Sequence, residues 1–301
     1  MLVVSAVVAL GVVRGVQAPD AGAAPTSAST TSTTTTTTIV VERATLDPGT
    51  HELATARADL DRIAVRAEPP SGWDRSLTPV VTSSDPVPPR SGADLQRVAL
   101  PNPEQAIVGR AVTDDGWVFA NPSAYQPPQP LVFGVVERQG HWVEVQLPVR
   151  PNGTTGWVRT DQVVVSSTTM TVTVSLSERR LRVTESGAQL VDVPAGIGRP
   201  ATPTPTGSFT VTDVVPSTNP SGGYGPVALA LDGYSEVMDA FGSENAGTSP
   251  DSNVPVLAIH GTNRPGSAGT AQSNGCVHLA NDDMVALAQM VPAGTPVQIW
   301  P

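Results

Sequence analysis

Short apolar or aromatic segments, each followed by turn residues, recur from about residue 93 onward. In the first part of this region they are residues 117–119, 131–136, 141–145 and 156–158. The chain holds 27 glycines and 30 prolines, and only 15% of its residues are charged. This composition favours short strands joined by turns over long exposed helices. We therefore predict a mainly β protein, with a small barrel at residues 93–166.

A second β domain is predicted at residues 170–301, since a chain of 301 residues has room for two folded units. Two apolar segments flank the turn Ser186-Gly187, which indicates a hairpin. One short helix is expected near the C-terminus, capped by Asn281. The apolar residues at helical spacing behind that cap are Met284, Leu287, Ala288 and Val291.

The N-terminal segment differs in composition from the rest of the chain. Residues 2–13 form an apolar run that is too short for an ordinary membrane span but suits the core of a signal peptide. We interpret residues 1–18 as a signal peptide or a membrane anchor, and expect export. Residues 19–92 are interpreted as a Thr/Pro-rich linker followed by a weakly structured segment.

Charge and histidine spacing exclude some classes of function. The formal net charge is −10 and the basic residues form no cluster, so the electrostatic footprint of a nucleic-acid-binding protein is absent. The four histidines lack the spacing of metal ligands. We therefore predict no nucleic-acid partner, no metal and no cofactor.

The candidate chemistry lies in two segments, Val256–Thr262 and Ser273–Leu279. The first is an apolar strand that ends at His260, and the second contains Cys276, the single cysteine of the chain. A lone cysteine in an exported protein is an inert thiol, an intermolecular partner or a reactive group. A free thiol has a pKa of about 8.5, so a nucleophilic cysteine needs a base such as an imidazole.

Together these segments resemble the YkuD-type L,D-transpeptidases. Their signature is a histidine, a loop, and then S/T-H-G-C followed two positions later by Arg or Asn. His260, Ser273, Gly275 and Cys276 match it, and residues 201–209 resemble the family's upstream T-P-x-G-x-F turn. Residues 141–158 are similar to the bacterial SH3-like modules that precede catalytic domains in wall enzymes.

Two residues depart from the family pattern. Asn274 stands where a second histidine is usual, and its side chain can still donate a hydrogen bond near the sulfur. His278 stands where Arg or Asn is usual, and if protonated it could supply the positive charge or the substrate contact. Arg199 and Arg264 are interpreted as ordinary loop charges rather than as clamps for a substrate carboxylate.

The resemblance implies a β-sandwich catalytic domain of an exported enzyme of the bacterial cell wall. Cys276 would form a thioester with a peptidoglycan donor tetrapeptide, and His260 would be the general base. The acyl group would then be transferred to an acceptor amine, which gives a 3→3 cross-link. The resemblance also implies acylation by carbapenems. Further oxyanion or substrate contacts are expected from Ser273, Asn274, Gly275, Gly261 and His278. The alternative is a non-catalytic wall-binding protein whose catalytic domain has decayed.

Overall fold

The computed structural model describes residues 49–68, 110–113, 116–123, 125–238 and 255–301. The predicted signal peptide or anchor at residues 1–18 lies outside them, as does most of the predicted linker. Eight strands make a first sheet: β1 (His51–Ala56), β2 (Arg62–Arg66), β3 (Arg110–Thr113), β4 (Gly116–Ala120), β5 (Val132–Gln139), β6 (Trp142–Gln146), β7 (Thr155–Arg159) and β8 (Val163–Thr168).

Within the described residues, ten strands and one α-helix follow. They are β9 (Met170–Ser175), β10 (Arg180–Glu185), β11 (Ala188–Pro194), β12 (Ile197–Gly198), β13 (Gly207–Pro216), β14 (Val227–Tyr234), β15 (Val256–His260), β16 (Ala271–Ser273), β17 (Val277–His278), α1 (Asn281–Met290) and β18 (Pro296–Trp300). The prediction of a mainly β fold with one short helix near the C-terminus is confirmed.

The first sheet begins earlier in the chain than the sequence indicated. Its strand order is β3-β4-β2-β7-β6-β5-β1-β8, so β1 lies between β5 and β8, and β2 between β4 and β7. The interpretation of this stretch as weakly structured is wrong for both strands. Each is short, and its buried side chains alternate with partly exposed ones: Ala54 and Ala56 in β1, Ile63 and Val65 in β2. The likeness to SH3-like modules stays a prediction.

The second sheet has the order β11-β10-β9-β18-β13-β14-β15-β17. Its two halves and helix α1 share one hydrophobic core, as in the β-sandwich that we expected. Fully buried side chains in this core include Val172, Leu181, Leu229, Ile259, Val277, Met284 and Leu287. Strands β12 and β16 pair with each other in a separate two-stranded sheet. The core therefore supports the strands that carry His260 and the residues after Cys276.

Helix α1 does not use the cap that the sequence suggested. Its N-cap is Ala280, which offers no side-chain hydrogen bond, and Asn281 is already the first helical residue. The Asn281 side chain instead accepts the N–H of Thr262, with 2.7 Å between Oδ1 and N. The helix is thereby joined to the loop after His260. None of the helices in the described part of the chain is long and apolar enough to cross a membrane.

The two sheets belong to one compact unit, Thr45–Pro301, and side-chain amides of the first sheet's loops bond to strands of the second. The Asn152 amide pairs with the backbone of Tyr234 in both directions, each N···O distance being 2.9 Å. Gln129 pairs in the same way with the backbone of Val214. The Tyr234 hydroxyl donates to the carbonyl of Pro148 at 2.8 Å. These bonds attach the hairpin β13–β14 to the first sheet.

Asp232 is a buried carboxyl in that hairpin, and its titration should affect stability. One oxygen accepts the N–H of Thr210 at 2.7 Å, whereas the other has no hydrogen-bond partner among the described residues. Burial raises the pKa of Asp232 to about 7, although the bonds from Thr210 lower it. Because the folded pKa lies above the ordinary value of 3.8, the stability that this group contributes is present below pH 4 and is lost as pH rises to about 7.

We therefore expect Asp232→Asn to melt roughly 5 °C above the wild type at pH 8, and to lose that advantage at pH 4. The asparagine oxygen can still accept from Thr210, but the side chain carries no charge to desolvate. Thermal melting of both proteins across this pH range measures the effect. Asp59→Asn, at an exposed ion pair, is the matched control and should show no such pH dependence. A constant difference between the two proteins at all pH values would contradict the argument.

Candidate active site

Strand pairing brings Cys276 and His260 to one face of the second sheet. Strands β15 and β17 run parallel, with Ile259 paired to Val277 and His260 paired to His278. Ile259 and Val277 are fully buried in the core, so the histidines project from the opposite face. Cys276 directly precedes β17, and residues two apart in a strand share a face. The thiol therefore lies on the same side as both histidines.

The turn before Cys276 is held by Ser273. Its hydroxyl accepts the N–H of Gly275 at 3.1 Å and donates to the carbonyl of Cys276 at 2.6 Å. Gly275 has a φ of 121°, a conformation that a side chain would strain. The N–H of Gly275 thus bonds inside the turn. The backbone N–H groups of Asn274 and Cys276 remain as candidate oxyanion donors.

The upstream T-P motif lies against this turn. The N–H of Arg199 and the hydroxyl of Thr202 both donate to the carbonyl of Ser273, at 3.1 and 3.2 Å. The Thr204 hydroxyl accepts the N–H of Gly198 at 2.8 Å. Through the two bonds to Ser273, this segment stabilises the turn that precedes Cys276.

Replacing the buried Ser273 by alanine should slow acylation of Cys276 about 10-fold, because it removes both hydroxyl bonds of the turn. The rate of covalent labelling by a carbapenem measures this effect. Ser273→Thr keeps the hydroxyl and should stay within a few-fold of the wild type. Equal loss in both variants would show that packing, and not the hydroxyl, is what matters at this position.

His260 is buried, and its tautomer is determined by a neighbouring carbonyl. Nδ1 lies 2.5 Å from the carbonyl oxygen of Gly261. Since a carbonyl only accepts, Nδ1 carries the proton and the lone pair of Nε2 is the available base. Gly261 has no room for a side chain, because a Cβ would lie 2.5 Å from Asn281 Oδ1 and 2.9 Å from Pro226 Cδ.

Two rings pack against the His260 imidazole. The Tyr224 ring centroid lies 4.7 Å from it and the His278 centroid 4.6 Å. Sequence reasoning missed Tyr224, which lies in the loop between β13 and β14; its only signal is an aromatic residue between glycines at positions 222–225. His278 is held by backbone bonds in both directions with Gly196, and its Nδ1 lies 3.3 Å from Ser267 Oγ.

The candidate nucleophile and base are both uncharged at neutral pH. Burial raises the pKa of the Cys276 thiol to about 11, and burial together with His278 lowers the pKa of His260 to about 3. Burial, and then the proximity of Cys276, raises the pKa of Tyr224 to about 12. The thiol donates to the carbonyl of Val256, with 3.8 Å between Sγ and O. The resting site therefore holds a neutral thiol beside a neutral imidazole.

His278 does not supply the positive charge that we considered for it. Burial and the neighbouring Arg264 both lower the pKa of His278, so its imidazole is neutral at neutral pH. Arg264 and Arg199 are exposed. Among the described residues, no group of three or more metal-ligating side chains is placed to hold a metal ion.

The candidate site is thus a cysteine and a histidine on one face of the second sheet, at its β17 edge. Residues 169–299 match the YkuD model of the L,D-transpeptidase catalytic domain. This region is therefore similar to the L,D-transpeptidase catalytic domain of the YkuD type, the same family that the sequence motifs resemble.

Relatives cover the same region. The YkuD protein of Bacillus licheniformis, whose L,D-transpeptidase assignment is itself an inference, is 35% identical over 130 residues, which are 43% of this chain and 65% of that protein. The ErfK/SrfK protein of Salmonella typhimurium, a probable L,D-transpeptidase, is 33% identical over 42% of this chain and 43% of its own length. The chain thus spans less than two thirds of either relative.

Among solved structures, L,D-transpeptidase 3 from Mycobacterium tuberculosis is 16% identical, with a TM-score of 0.35 over 56% of this chain and 94% of that one.

Proposed function

We propose that this protein is a peptidoglycan L,D-transpeptidase in which Cys276 is the nucleophile and His260 the general base. The observation that carries the proposal is the pairing of β15 with β17, which sets the single cysteine beside a buried histidine whose Nδ1 is bonded to a carbonyl. A histidine in this tautomer has the lone pair of Nε2 available to take the thiol proton. The match of this region to the transpeptidase domain supports the same assignment.

The first step forms a thioester on the enzyme. As Cys276 attacks the carbonyl carbon of the third residue in a donor tetrapeptide, its proton passes to Nε2 of His260. The tetrahedral oxyanion is stabilised by the backbone N–H groups of Asn274 and Cys276. Its C–N bond then breaks, and the imidazolium returns the proton to the leaving amine of the terminal D-alanine. The third residue remains bound to sulfur as a thioester.

The second step transfers the acyl group. The side-chain amine of the third residue in an acceptor stem attacks the thioester carbon and loses a proton to His260. The C–S bond then breaks, and the thiolate takes that proton back from the imidazolium. The product is an amide that joins two third residues, a 3→3 cross-link, and the enzyme returns to its neutral state.

The neutral resting pair suits this mechanism. A buried site of low dielectric disfavours a standing thiolate–imidazolium pair, so charge separates only when a substrate carbonyl can accept the sulfur. The Gly261 carbonyl, 2.5 Å from Nδ1, then stabilises the transient imidazolium.

This function implies a location and a class of inhibitor. Peptidoglycan lies outside the cytoplasm, so we propose an exported enzyme at the cell wall, with residues 1–18 as its signal peptide or membrane anchor. A carbapenem offers a strained amide carbonyl to the same thiol, and we propose that it acylates Cys276.

The test is cross-linking by the full chain. A tetrapeptide stem with a free amine on its third residue serves as both donor and acceptor, and the products are identified by mass spectrometry. The proposal expects a dimer that lacks one terminal alanine, together with free D-alanine. If the protein binds isolated peptidoglycan but forms no dimer, the non-catalytic wall-binding alternative replaces it.

A further inference from the structure

The loops that build the site contain no acidic residues. Asp and Glu number 27 in the chain, yet none occurs in residues 193–212, 214–231 or 255–281. These ranges contain β13 up to Thr212, the Tyr224 loop, β15 and the whole stretch from His260 to Asn281. The charged side chains within them are Arg199 and Arg264. In a chain of net charge −10, these ranges therefore carry a net positive charge.

Arg264 lies in the loop that follows His260, where its N–H donates to the Thr262 hydroxyl, and it forms no ion pair with the carboxylates of the described residues. It directly precedes the short 3-10 turn Pro265–Ser267, whose Ser267 hydroxyl contacts Nδ1 of His278. Its charge acts on His278, whose ring packs on His260. Its side chain is exposed, and none of the described carboxylates forms a salt bridge with it.

Other arginines of this chain pair with a carboxylate: the exposed Arg57 with Asp59 and Arg138 with Glu52, and the half-buried Arg180 with Asp192 and Arg182 with Glu178. The exposed arginine in the loop that follows the general base is thus available to a substrate anion. A guanidinium binds a carboxylate through two parallel hydrogen bonds.

The chemistry of the first step indicates which carboxylate of the donor peptide would reach Arg264. His260 must lie next to the leaving nitrogen in order to protonate it, and in a terminal amino acid the α-carboxylate is two bonds from that nitrogen. His278 packs on His260, and Arg264 is close enough to His278 for its charge to lower the pKa of that imidazole. The terminal carboxylate of the donor therefore falls on the side of Arg264, whereas the backbone N–H of Arg199 bonds to the carbonyl of Ser273.

We propose that Arg264 binds the C-terminal carboxylate of the leaving residue and so selects donors whose scissile bond is one residue from a free C-terminus. This inference rests on the proposed transpeptidase function. It accounts for removal of a single terminal residue, since a longer or amidated donor lacks a carboxylate at that distance.

The experiment compares two donor peptides that differ only at the C-terminus, a tetrapeptide acid and its C-terminal amide. Release of the terminal residue gives kcat/KM for wild type, Arg264→Gln and Arg57→Gln. Wild type should prefer the acid by about 10- to 100-fold. Arg264→Gln should lose this preference through a lower kcat/KM for the acid, with the amide unchanged. Arg57→Gln should match the wild type, and Arg264→Lys should keep part of the preference.

Equal loss of activity on both peptides in Arg264→Gln would overturn the inference, because it would mean that Arg264 only shapes the loop. Binding of the two peptides to Cys276→Ala separates this failure from failure of the chemistry. If wild type releases no residue from either peptide, the proposed function falls. Carboxylate recognition is then judged by binding alone: an acid preference that Arg264→Gln removes supports it, and equal dissociation constants reject it.

Discussion

Cys276→Ala is expected to abolish the covalent adduct that the wild-type chain forms with a carbapenem and to leave the fold intact. Without sulfur the site retains a base and oxyanion donors but no nucleophile, so acylation should fall below detection. The thiol makes a long contact, 3.8 Å to the Val256 carbonyl, and alanine fits the space it leaves. Intact mass after incubation, together with circular dichroism of the variant, measures both parts of the expectation.

Cys276→Ser is the control for size and polarity. It keeps a hydroxyl at the same position, but a buried serine beside a neutral imidazole is a much weaker nucleophile, so an adduct should form slowly or not at all. An adduct of full occupancy on folded Cys276→Ala would place the reactive group elsewhere. An unmodified, folded wild-type chain would instead favour the wall-binding alternative.

Local sequence patterns were sufficient to predict the strands and site residues whose positions depend on few neighbouring residues. Period-two alternation and turn residues predicted the mainly β fold, and the spacing of Met284 and Leu287 predicted α1. The motif around Cys276 identified a turn that the structure places beside His260. These features are encoded within about ten residues of chain.

Features that depend on distant partners were missed. Strands β1 and β2 are too short to show a period, and they are stabilised by pairing with β8, β5 and β4, which are far away in sequence. Asn281 has the residue type of a helix cap, but the loop after His260 uses its side chain. In each case a long-range contact overrides a local preference.

The protonation states of the side chains in the site depend on how deeply they are buried, and burial cannot be read from the sequence. The pattern alone allowed His278 to be a cation, whereas its packing between His260 and Ser267 keeps it neutral. Conversely, Arg264 looked like an ordinary loop charge, and only the folded structure shows that its charge acts on His278 and that no carboxylate of the described residues pairs with it. Tyr224 reaches His260 because the β13–β14 hairpin folds its loop back over the site.

His260→Ala is expected to slow acylation of Cys276 by roughly 10²- to 10⁴-fold, the usual contribution of a positioned base. The substitution should also change how the acylation rate depends on pH. Without the imidazole, attack requires the free thiolate, whose pKa is near 11, so the rate should rise about tenfold per pH unit through neutrality. In the wild type the base form of His260 persists down to its pKa of about 3, so the rate should stay nearly flat from about pH 5 to pH 9.

Carbapenem labelling at limiting enzyme, followed by stopped-flow absorbance across this pH range, distinguishes the two profiles. Tyr224→Phe is the matched control, because it keeps the ring that packs on His260 and should retain the flat profile. A wild-type rate that falls with an apparent pKa near 6.5 would mean that the imidazole is solvated when it acts, contrary to its burial beside His278. A His260→Ala variant that is acylated as fast as the wild type would show that His260 is not the base for Cys276, and the proposed mechanism would be wrong.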